Sequence, residues 1–522
     1  MVMKITTLAS VYISSYDVNM KIKELIPGKK QIRTVEEVSC HLDLGREVFE
    51  KRQIGYEKVD ALCEILSEFK AIGDSYLCEE FLVYAGSTLK NAENMLFVLE
   101  QVRIRTGVVI RVLSNSEQRA LSYRNISSMP EFETMTREGC ILFQVGGSSL
   151  QITVFEKGHM RYTKQVGLGS LRLMRNLMKT RASQENKERQ IIEMVEKEMN
   201  TFRGSHGGSR KNRHIILMAE YLDGFFEGRL KTSKEYGIEP GTDAAQVMEI
   251  TAFNEYLQSI YRSDIDELSD RFENINVINP ILYPSLVLYH GLLQQMNAEY
   301  VWLPGFEVTD GIAYDYAVEH KILKASHDFN DDVLSCADEI AERYLCYRPH
   351  IKAMENAALV IFDATKKING MSKRDRLLLQ TAVRLHDCGK YISMADHAQM
   401  SYEIIMASEI LGLTHRERQV AAYAVKFIKQ DPEPYDELKV ILTVEEYLIV
   451  LKLAAIMRLA NSLDRSHKQK LHEIKAVRKE KELVITVSVK ENSAWEQAKF
   501  EQQAGLFMQV FSLRPVLREK KK

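Results

Sequence analysis

The sequence predicts two tandem α/β lobes, then an all-α domain, then a small α+β module. Three observations carry that expectation. The apolar run Cys140-Ile141-Leu142-Phe143 meets a tight turn at Gly146-Gly147 and continues as the alternating Ile152-Thr153-Val154-Phe155, which reads as strand, turn, strand. Strand-like and helix-like periods alternate before and after this hairpin as far as Tyr314. From about residue 326 the period becomes almost continuously helical, and after Ser466 it returns to strand.

Taken in order, Ile5–Ile13 is rich in β-branched residues and reads as a strand. Within Gln53–Ile72, Val59, Leu62, Cys63, Ile65, Leu66 and Phe69 fall on one helical face. Phe81–Tyr84 is a short buried strand, Asn91–Thr106 a helix and Val108–Leu113 a strand, with mainly parallel connections. After the hairpin come a helix at about 183–203, a loop at 204–209, a strand at His214–Met218, a helix at about 280–297 and a strand at Tyr300–Leu303. Each lobe opens on strand-turn-strand, which predicts a duplicated fold with a cleft, although no internal sequence repeat is visible. Helices follow at Asp331–Tyr347, His350–Ile368, Lys373–His386, Tyr402–Leu411, Thr414–Lys429 and Leu448–Leu463. Strands at Leu471–Val477 and Glu482–Val489, a helix at Trp495–Phe511 and an end strand close the chain. The expected domains are 1–125, 126–318, 326–468 and 469–522.

With 522 residues, 45% of them hydrophobic and 27% charged, the chain has an ordinary globular composition and room for three or four cores. A net charge of −2 gives no global reason to expect nucleic acid, and the basic Arg518–Lys522 end reads as a solvated tail. Seven cysteines, odd in number and without a CxxC pair, are expected as buried free thiols in a reducing, cytoplasmic setting. No signal-peptide pattern and no run of 18 apolar residues is present, so no membrane segment is expected.

The hairpin tip can press backbone N–H groups against a phosphate, as in actin-like ATPase folds. Its order and spacing with other motifs resemble the exopolyphosphatase / guanosine pentaphosphate phosphohydrolase family. The resemblance covers essentially the whole chain. The family's Asp-Leu-Gly-Ser-Asn-Ser loop falls on Tyr12-Ile13-Ser14-Ser15-Tyr16-Asp17. Its Thr-x-x-Leu-Arg-x-Ala-x-Asn loop falls within Gly86-Ser87-Thr88-Leu89-Lys90-Asn91-Ala92-Glu93-Asn94. Leu113–Arg119 matches Ile-Ser-Gly-x-Glu-Glu-Ala, and Gln144–Gln151 matches Asp-Ile-Gly-Gly-Gly-Ser-Thr-Glu. Val166–Leu173 and Gly305–Gly311 match two later family stretches. The resemblance implies two actin-like ATPase (ribonuclease H-like) lobes, an all-α HD-type domain, a small α+β C-terminal module, and a homodimer.

The chemistry it implies is hydrolysis of a terminal phosphoanhydride. That reaction uses phosphate donors, usually Mg²⁺ or another divalent metal on carboxylates, and a base that activates water. The family's catalytic positions fall on Gln118, with Glu117 beside it, and on Gln144 and Gln151, while the first-loop aspartate falls on Tyr12. An amide can orient water but cannot take its proton. Glu117 and Asp17 are the acids that could serve instead. The expected phosphate donors are Ser14, Ser15, Ser87, Thr88, Lys90, Gly146, Gly147, Ser148 and Ser149. The second-lobe Gly-x-x-Gly-Thr turn falls on Ala219–Asp223, which lacks glycine.

The helical domain carries a separate signal. Leu385-His386-Asp387-Cys388-Gly389-Lys390 is the HD signature, and with His350 upstream and Asn461 downstream it implies a divalent-metal site. Two functions follow from the sequence. One is hydrolysis of inorganic polyphosphate or a guanosine pentaphosphate-like nucleotide, weak or absent because acids are replaced; the other is a non-catalytic sensor or scaffold binding the same ligands.

Overall fold

The computed structural model describes residues 5–27, 31–147, 149–178, 184–206, 212–219, 230–237, 245–263, 275–325 and 327–520. The chain divides into two units, Met1–Asp328 and Phe329–Lys522. The small C-terminal sheet therefore belongs with the helices rather than standing apart.

The first unit holds two sheets. In one, β1 (Thr6–Ile13), β2 (Asp17–Ile26), β3 (Gln31–His41), β4 (Glu80–Ala85) and β5 (Ile110–Val112) run in the order β3-β2-β1-β4-β5. The first three strands pair antiparallel, and β1, β4 and β5 pair parallel. The other sheet contains β6 (Cys140–Val145), β7 (Leu150–Glu156), β8 (His159–Val166), β9 (His214–Ala219), β10 (Lys231–Thr232), β11 (Gln246–Glu249) and β12 (Tyr300–Leu303). Its order, β10-β11-β12-β9-β6-β7-β8, repeats the first topology through β8-β7-β6-β9-β12 and adds two antiparallel strands at one edge. The duplication that no sequence repeat reveals is thus written in the strand order.

The expectation of mainly parallel connections holds for only two of the four strand pairings in the first sheet and two of the six in the second. The sequence reading passed over β2, β3 and β8, whose charged residues break the usual alternation. Lys21 and Lys23 of β2 are buried, and their ammonium groups reach Asp310 on the helix Val308–Glu319. That helix falls in the expected second domain, 126–318, yet it packs against β1, β2 and the helix Asn115–Ile126. Gly311 permits the approach: a Cβ there would lie 2.5 Å from the Leu121 carbonyl oxygen. Separate cores fill each lobe, one around Val11, Leu62 and Phe69, the other around Phe143, Val195 and Leu288.

In the second unit, the helix Arg348–Asn369 packs against Lys373–Leu385 and Val444–Ser462. Ser372, Thr414 and Thr443 each form a capping box with the acid three residues on, which fixes three helix starts at about 1 kcal/mol apiece. β13 (Leu471–Lys479), β14 (Glu482–Val489) and β15 (Arg514–Glu519) form the small sheet, and the helix Ala494–Phe511 joins β15 to Val444–Ser462. The described cysteines are all free thiols, and no described helix is long and apolar enough to cross a membrane.

Candidate functional site

In the first unit, the expected site residues gather where β1, β4 and the β6–β7 hairpin end. Ser14 closes its own turn: its hydroxyl accepts from the N–H groups of Tyr16 (3.1 Å) and Asp17 (2.9 Å). Ser15 and Thr88 are brought together, hydroxyl to hydroxyl, at 2.6 Å. Ser87 and Thr88 begin a four-residue helix that ends at Lys90, whose side chain is exposed.

Tyr12 and Gln118 meet at Gly86. A Cβ on Gly86 would lie 2.2 Å from the Tyr12 hydroxyl and 3.3 Å from Gln118 Oε1. A buried phenol therefore stands at the position onto which the resemblance maps the first-loop aspartate. Glu117 is committed elsewhere. It is the acid of a capping box with Ser114, and it pairs with Arg111 at 3.2 Å. Burial pushes Glu117 up, but the Ser114 N–H and hydroxyl and the Arg111 guanidinium outweigh it and hold the carboxyl below its usual range. The Asp17 carboxylate pairs with His41 at 3.1 Å.

The hairpin keeps its shape by other means than phosphate. Gly146 N–H donates to the Ser149 carbonyl at 3.0 Å, closing the turn. The Gly146 and Gly147 carbonyls accept from Ser170 and Arg172, capping the helix Ser170–Met178. A Cβ on Gly147 would meet the Leu171 Cδ1 at 2.6 Å, so a larger residue there would displace that leucine, which also sits 3.5 Å from a Cβ built on Gly45. Gly147, expected as a phosphate donor, thus seats a leucine that also packs with Tyr16 of the loop after β1. Ser148 and the expected turn at 220–223 lie outside the described residues.

Gln144 and Gln151 are cross-strand partners, 8% and 1% exposed, and the carboxamide oxygen of each is buried without a hydrogen-bond partner among the described residues. Gln151 Nε2 donates to the Thr163 hydroxyl of β8. Arg119, which the sequence reading did not single out, reaches the hairpin from the helix Asn115–Ile126. It donates to the Ser149 hydroxyl at 3.1 Å and to Gln165 Oε1 at 3.4 Å, and Gln165 Nε2 donates to the same hydroxyl at 2.8 Å.

In the second unit, His350, Asp387 and His467 offer ligand atoms all within 4.8 Å of one another. His386 lies beside them, with Nε2 3.4 Å from Asp387 Oδ1. The His350 and His467 rings stack at 3.8 Å. The tautomers are fixed. His350 Nδ1–H donates to Asp464 Oδ2 at 2.8 Å and His386 Nδ1–H donates to the Val383 carbonyl at 2.7 Å. In a neutral ring each Nε2 carries a lone pair, and both Nε2 atoms are buried without a hydrogen-bond partner among the described residues. Burial, with the neighbouring His350, pushes His386 down to about 4 against the pull of Asp387, so its ring is neutral near pH 7. Burial pushes Asp387 up, but His386 and Lys390 outweigh it and hold the carboxyl well below its usual range.

Beyond Asn461, the expected fourth ligand, two further residues reach the cluster. Asp464 orients His350, and His467, held at φ +57°, supplies the third ligand atom. No metal pattern in the sequence marks His467, because its position depends on a left-handed residue past the helix end.

A model of the Ppx/GppA phosphatase family matches residues 23–209, and a model of Ppx/GppA phosphatase domain III matches residues 335–503. A guanosine-5'-triphosphate,3'-diphosphate pyrophosphatase of Vibrio vulnificus is 18% identical over 400 residues, 75% of this chain and 72% of that protein. Exopolyphosphatase 1 of Mycobacterium tuberculosis is 30% identical over 115 residues, 22% of this chain and 32% of that protein. The crystal structure of an exopolyphosphatase from Cytophaga hutchinsonii aligns with a TM-score of 0.50 at 12% identity, covering 62% of this chain and all of that one, which shows a shared fold. An Aquifex aeolicus family member aligns with a TM-score of 0.48 at 16% identity, covering 61% of this chain and 99% of that one.

Proposed function

The chain belongs to the Ppx/GppA phosphatase family, and from that premise we propose that its first unit binds inorganic polyphosphate or a guanosine pentaphosphate-like nucleotide while hydrolysing it weakly or not at all. The observation that carries this reading is the pairing of retained hydroxyl donors with neutral amides. Ser15, Thr88 and Ser149 remain at the loops and hairpin, whereas Gln118, Gln144 and Gln151 cannot accept a proton from water. Glu117 does not fill the gap, because its capping box and ion pair hold it ionised and turned to its own helix. Loss of a general base costs about 10²–10⁴-fold in rate.

Family enzymes generally depend on a divalent metal. The first unit's residues fit Mg²⁺ poorly, since the ion prefers carboxylates and these positions present a phenol and carboxamides. The test is phosphate release from long-chain polyphosphate with Mg²⁺ or Mn²⁺, set beside equilibrium binding. Binding without release supports the reading; release at rates typical of enzymes, about 1 s⁻¹ or more, would sink it.

A second reading has its own support. His350, His386, Asp387 and His467 suit a divalent cation, because two buried imidazole lone pairs and a carboxylate converge and Asp464 orients one ring. Such an ion would supply a Lewis acid for a phosphoryl oxygen and acidify a bound water. His386→Ala/Asp387→Ala decides whether any release arises there. A homodimer, implied by the resemblance, is checked by the sedimenting mass.

A further inference from the structure

We propose that Lys429 and Arg465 make the histidine–aspartate cluster of the second unit a site for a terminal phosphate group, as orthophosphate or a phosphomonoester. The inference rests on the divalent-cation reading of that cluster and names the ligand brought to the ion.

The cluster itself suits a cation. His350 and His386 are 1% and 3% exposed, their Nε2 atoms meet no described donor, and both stand beside the Asp387 carboxylate. Around it lies more positive charge than such a site needs. Lys390 pairs with Asp387 and offsets its charge. Lys429 stands one imidazole further out: its Nζ lies 3.3 Å from His397 Nδ1, and His397 Nε2 lies 3.9 Å from Asp387 Oδ1. Partial burial, then Arg465 and Lys390, push the Lys429 ammonium below its usual value against the pull of Asp387, so the three cations are near neighbours. Among the described residues, neither Lys429 nor Arg465 forms an ion pair with a carboxylate. Arg465 follows the helix Val444–Ser462 and stands between Asp464, which orients His350, and His467, which supplies a ligand atom. Its guanidinium lies 6.0 Å over the Trp495 ring, and its Nε–H is buried without a hydrogen-bond partner among the described residues. The indole supports the flat face and leaves the N–H edge for oxygen acceptors.

Unpaired cations beside a metal site repel the ion unless an anion lies between them. A phosphate is such an anion, with one oxygen for the ion and others to accept from Lys429 and Arg465. The terminal group of a monoester carries about two negative charges near pH 7 and three free oxygens, one for each contact. A phosphodiester carries a single charge on two free oxygens, and would leave one cation unmet.

The experiment is equilibrium dialysis of the whole protein, first against Mn²⁺ alone and then, loaded with Mn²⁺, against radiolabelled orthophosphate. Phosphate binding is expected with Mn²⁺ and not in EDTA. Glycerol phosphate should displace it, and dimethyl phosphate at least about tenfold less readily, the cost of one lost charged contact. Lys429→Met and Arg465→Met should each weaken phosphate binding by about ten- to a hundredfold, while Mn²⁺ affinity without phosphate stays within about threefold or rises. The His386→Ala/Asp387→Ala protein, its first unit unaltered, should lose the Mn²⁺-dependent phosphate. Mn²⁺ binding without phosphate binding, or phosphate binding that survives both cation substitutions or the double substitution, overturns the inference and leaves the divalent-cation reading standing. Equal displacement by dimethyl phosphate does the same. Loss of Mn²⁺ together with phosphate in the Lys429→Met protein would give that lysine a structural role and also overturns it. No Mn²⁺ binding by the wild type overturns both readings. Should Arg465→Met fail to fold, the exposed Lys429 and the two phosphate esters still decide.

Discussion

Gln144 and Gln151 face each other across the β6–β7 pair, and each buries a carboxamide oxygen that no donor among the described residues reaches. An unsatisfied buried acceptor costs about 1–3 kcal/mol, so this pair is a standing debit in the free protein. Gln144→Leu should therefore leave the ligand-free protein as stable as wild type or raise its melting temperature by a few degrees, about 2–4 °C per kcal/mol for a unit of this size. The same change should reduce the stabilisation that polyphosphate confers. Differential scanning fluorimetry with and without ligand reads both effects. A large loss of stability without ligand would mean that the amide is satisfied in the free protein.

A nearly buried carboxylate, Asp310, ties the helix Val308–Glu319 to the first sheet beside the apolar contacts of Ile312, Ala313 and Ala317. Asp310 takes Lys21 at 3.3 Å and Lys23 in a shorter contact, all three side chains being nearly buried. Burial pushes Asp310 up, but Lys23 and Lys21 outweigh it and hold it below the usual range, while burial holds Glu307 above it. Asp310→Ala leaves two ammonium groups buried without their main partner. A loss of about 3–5 kcal/mol is expected, as for other broken buried ion pairs. Urea unfolding followed by circular dichroism measures it; a loss under 1 kcal/mol would show that Glu307 and Glu37 suffice.

Acid should loosen the second lobe through His214. Its Nδ1 accepts from Trp302 Nε1–H at 3.1 Å and its Nε2–H donates to Glu138 at 2.8 Å, so a second ring proton would point at an N–H group. Burial pulls its pKa below 6.5 despite Glu138. Between the folded and unfolded values the unfolded chain binds the extra proton, so this contribution is full above about pH 6.5 and is lost as pH falls through the depressed value. Glu138, held below its usual range, adds a separate loss at lower pH. Melting temperature should be flat from pH 7 to 8 and fall below 6.5, with His214→Gln lowering the plateau and removing the upper part of that slope. A slope that survives the substitution assigns the effect elsewhere; His290, also depressed by burial, is the next group to change.

Much of this was legible from local periods. Tyr300–Leu303 and Glu482–Val489 form as strands at the bounds their apolar runs give. β2 was not, because Lys21 and Lys23 break its alternation and the partner that permits their burial, Asp310, lies 287 positions beyond Lys23. At the site, sequence gave residue types but not their obligations. Ser114-Asn115-Ser116-Glu117 is a readable capping box, and reading Glu117 as a spare acid overlooked the helix start that consumes it. Gly147 looked like a phosphate glycine, while its missing side chain seats Leu171, a contact visible only in three dimensions.

The helical cluster separates the residue that spacing favoured from those that geometry brings in. Asn461 stands at the expected ligand position, yet Asp464 makes the bond to His350 and His467 contributes the ligand atom. A carboxylate behind a ligating imidazole fixes its tautomer and raises its basicity. Losing such a partner typically costs ten- to a hundredfold in metal affinity. Asp464→Asn should therefore weaken Mn²⁺ or Zn²⁺ binding by about that factor, and His467→Ala by at least as much, while Asn461→Ala should leave it within about threefold. Equilibrium dialysis with metal analysis distinguishes these outcomes without any catalytic assay. A reversed ranking, with Asn461→Ala the most damaging, would place the ion toward the helix Val444–Ser462 and return His467 to a stacking role against His350. Equal and negligible effects from all three would leave the two buried imidazole lone pairs to water, since polar groups so enclosed need a partner of some kind.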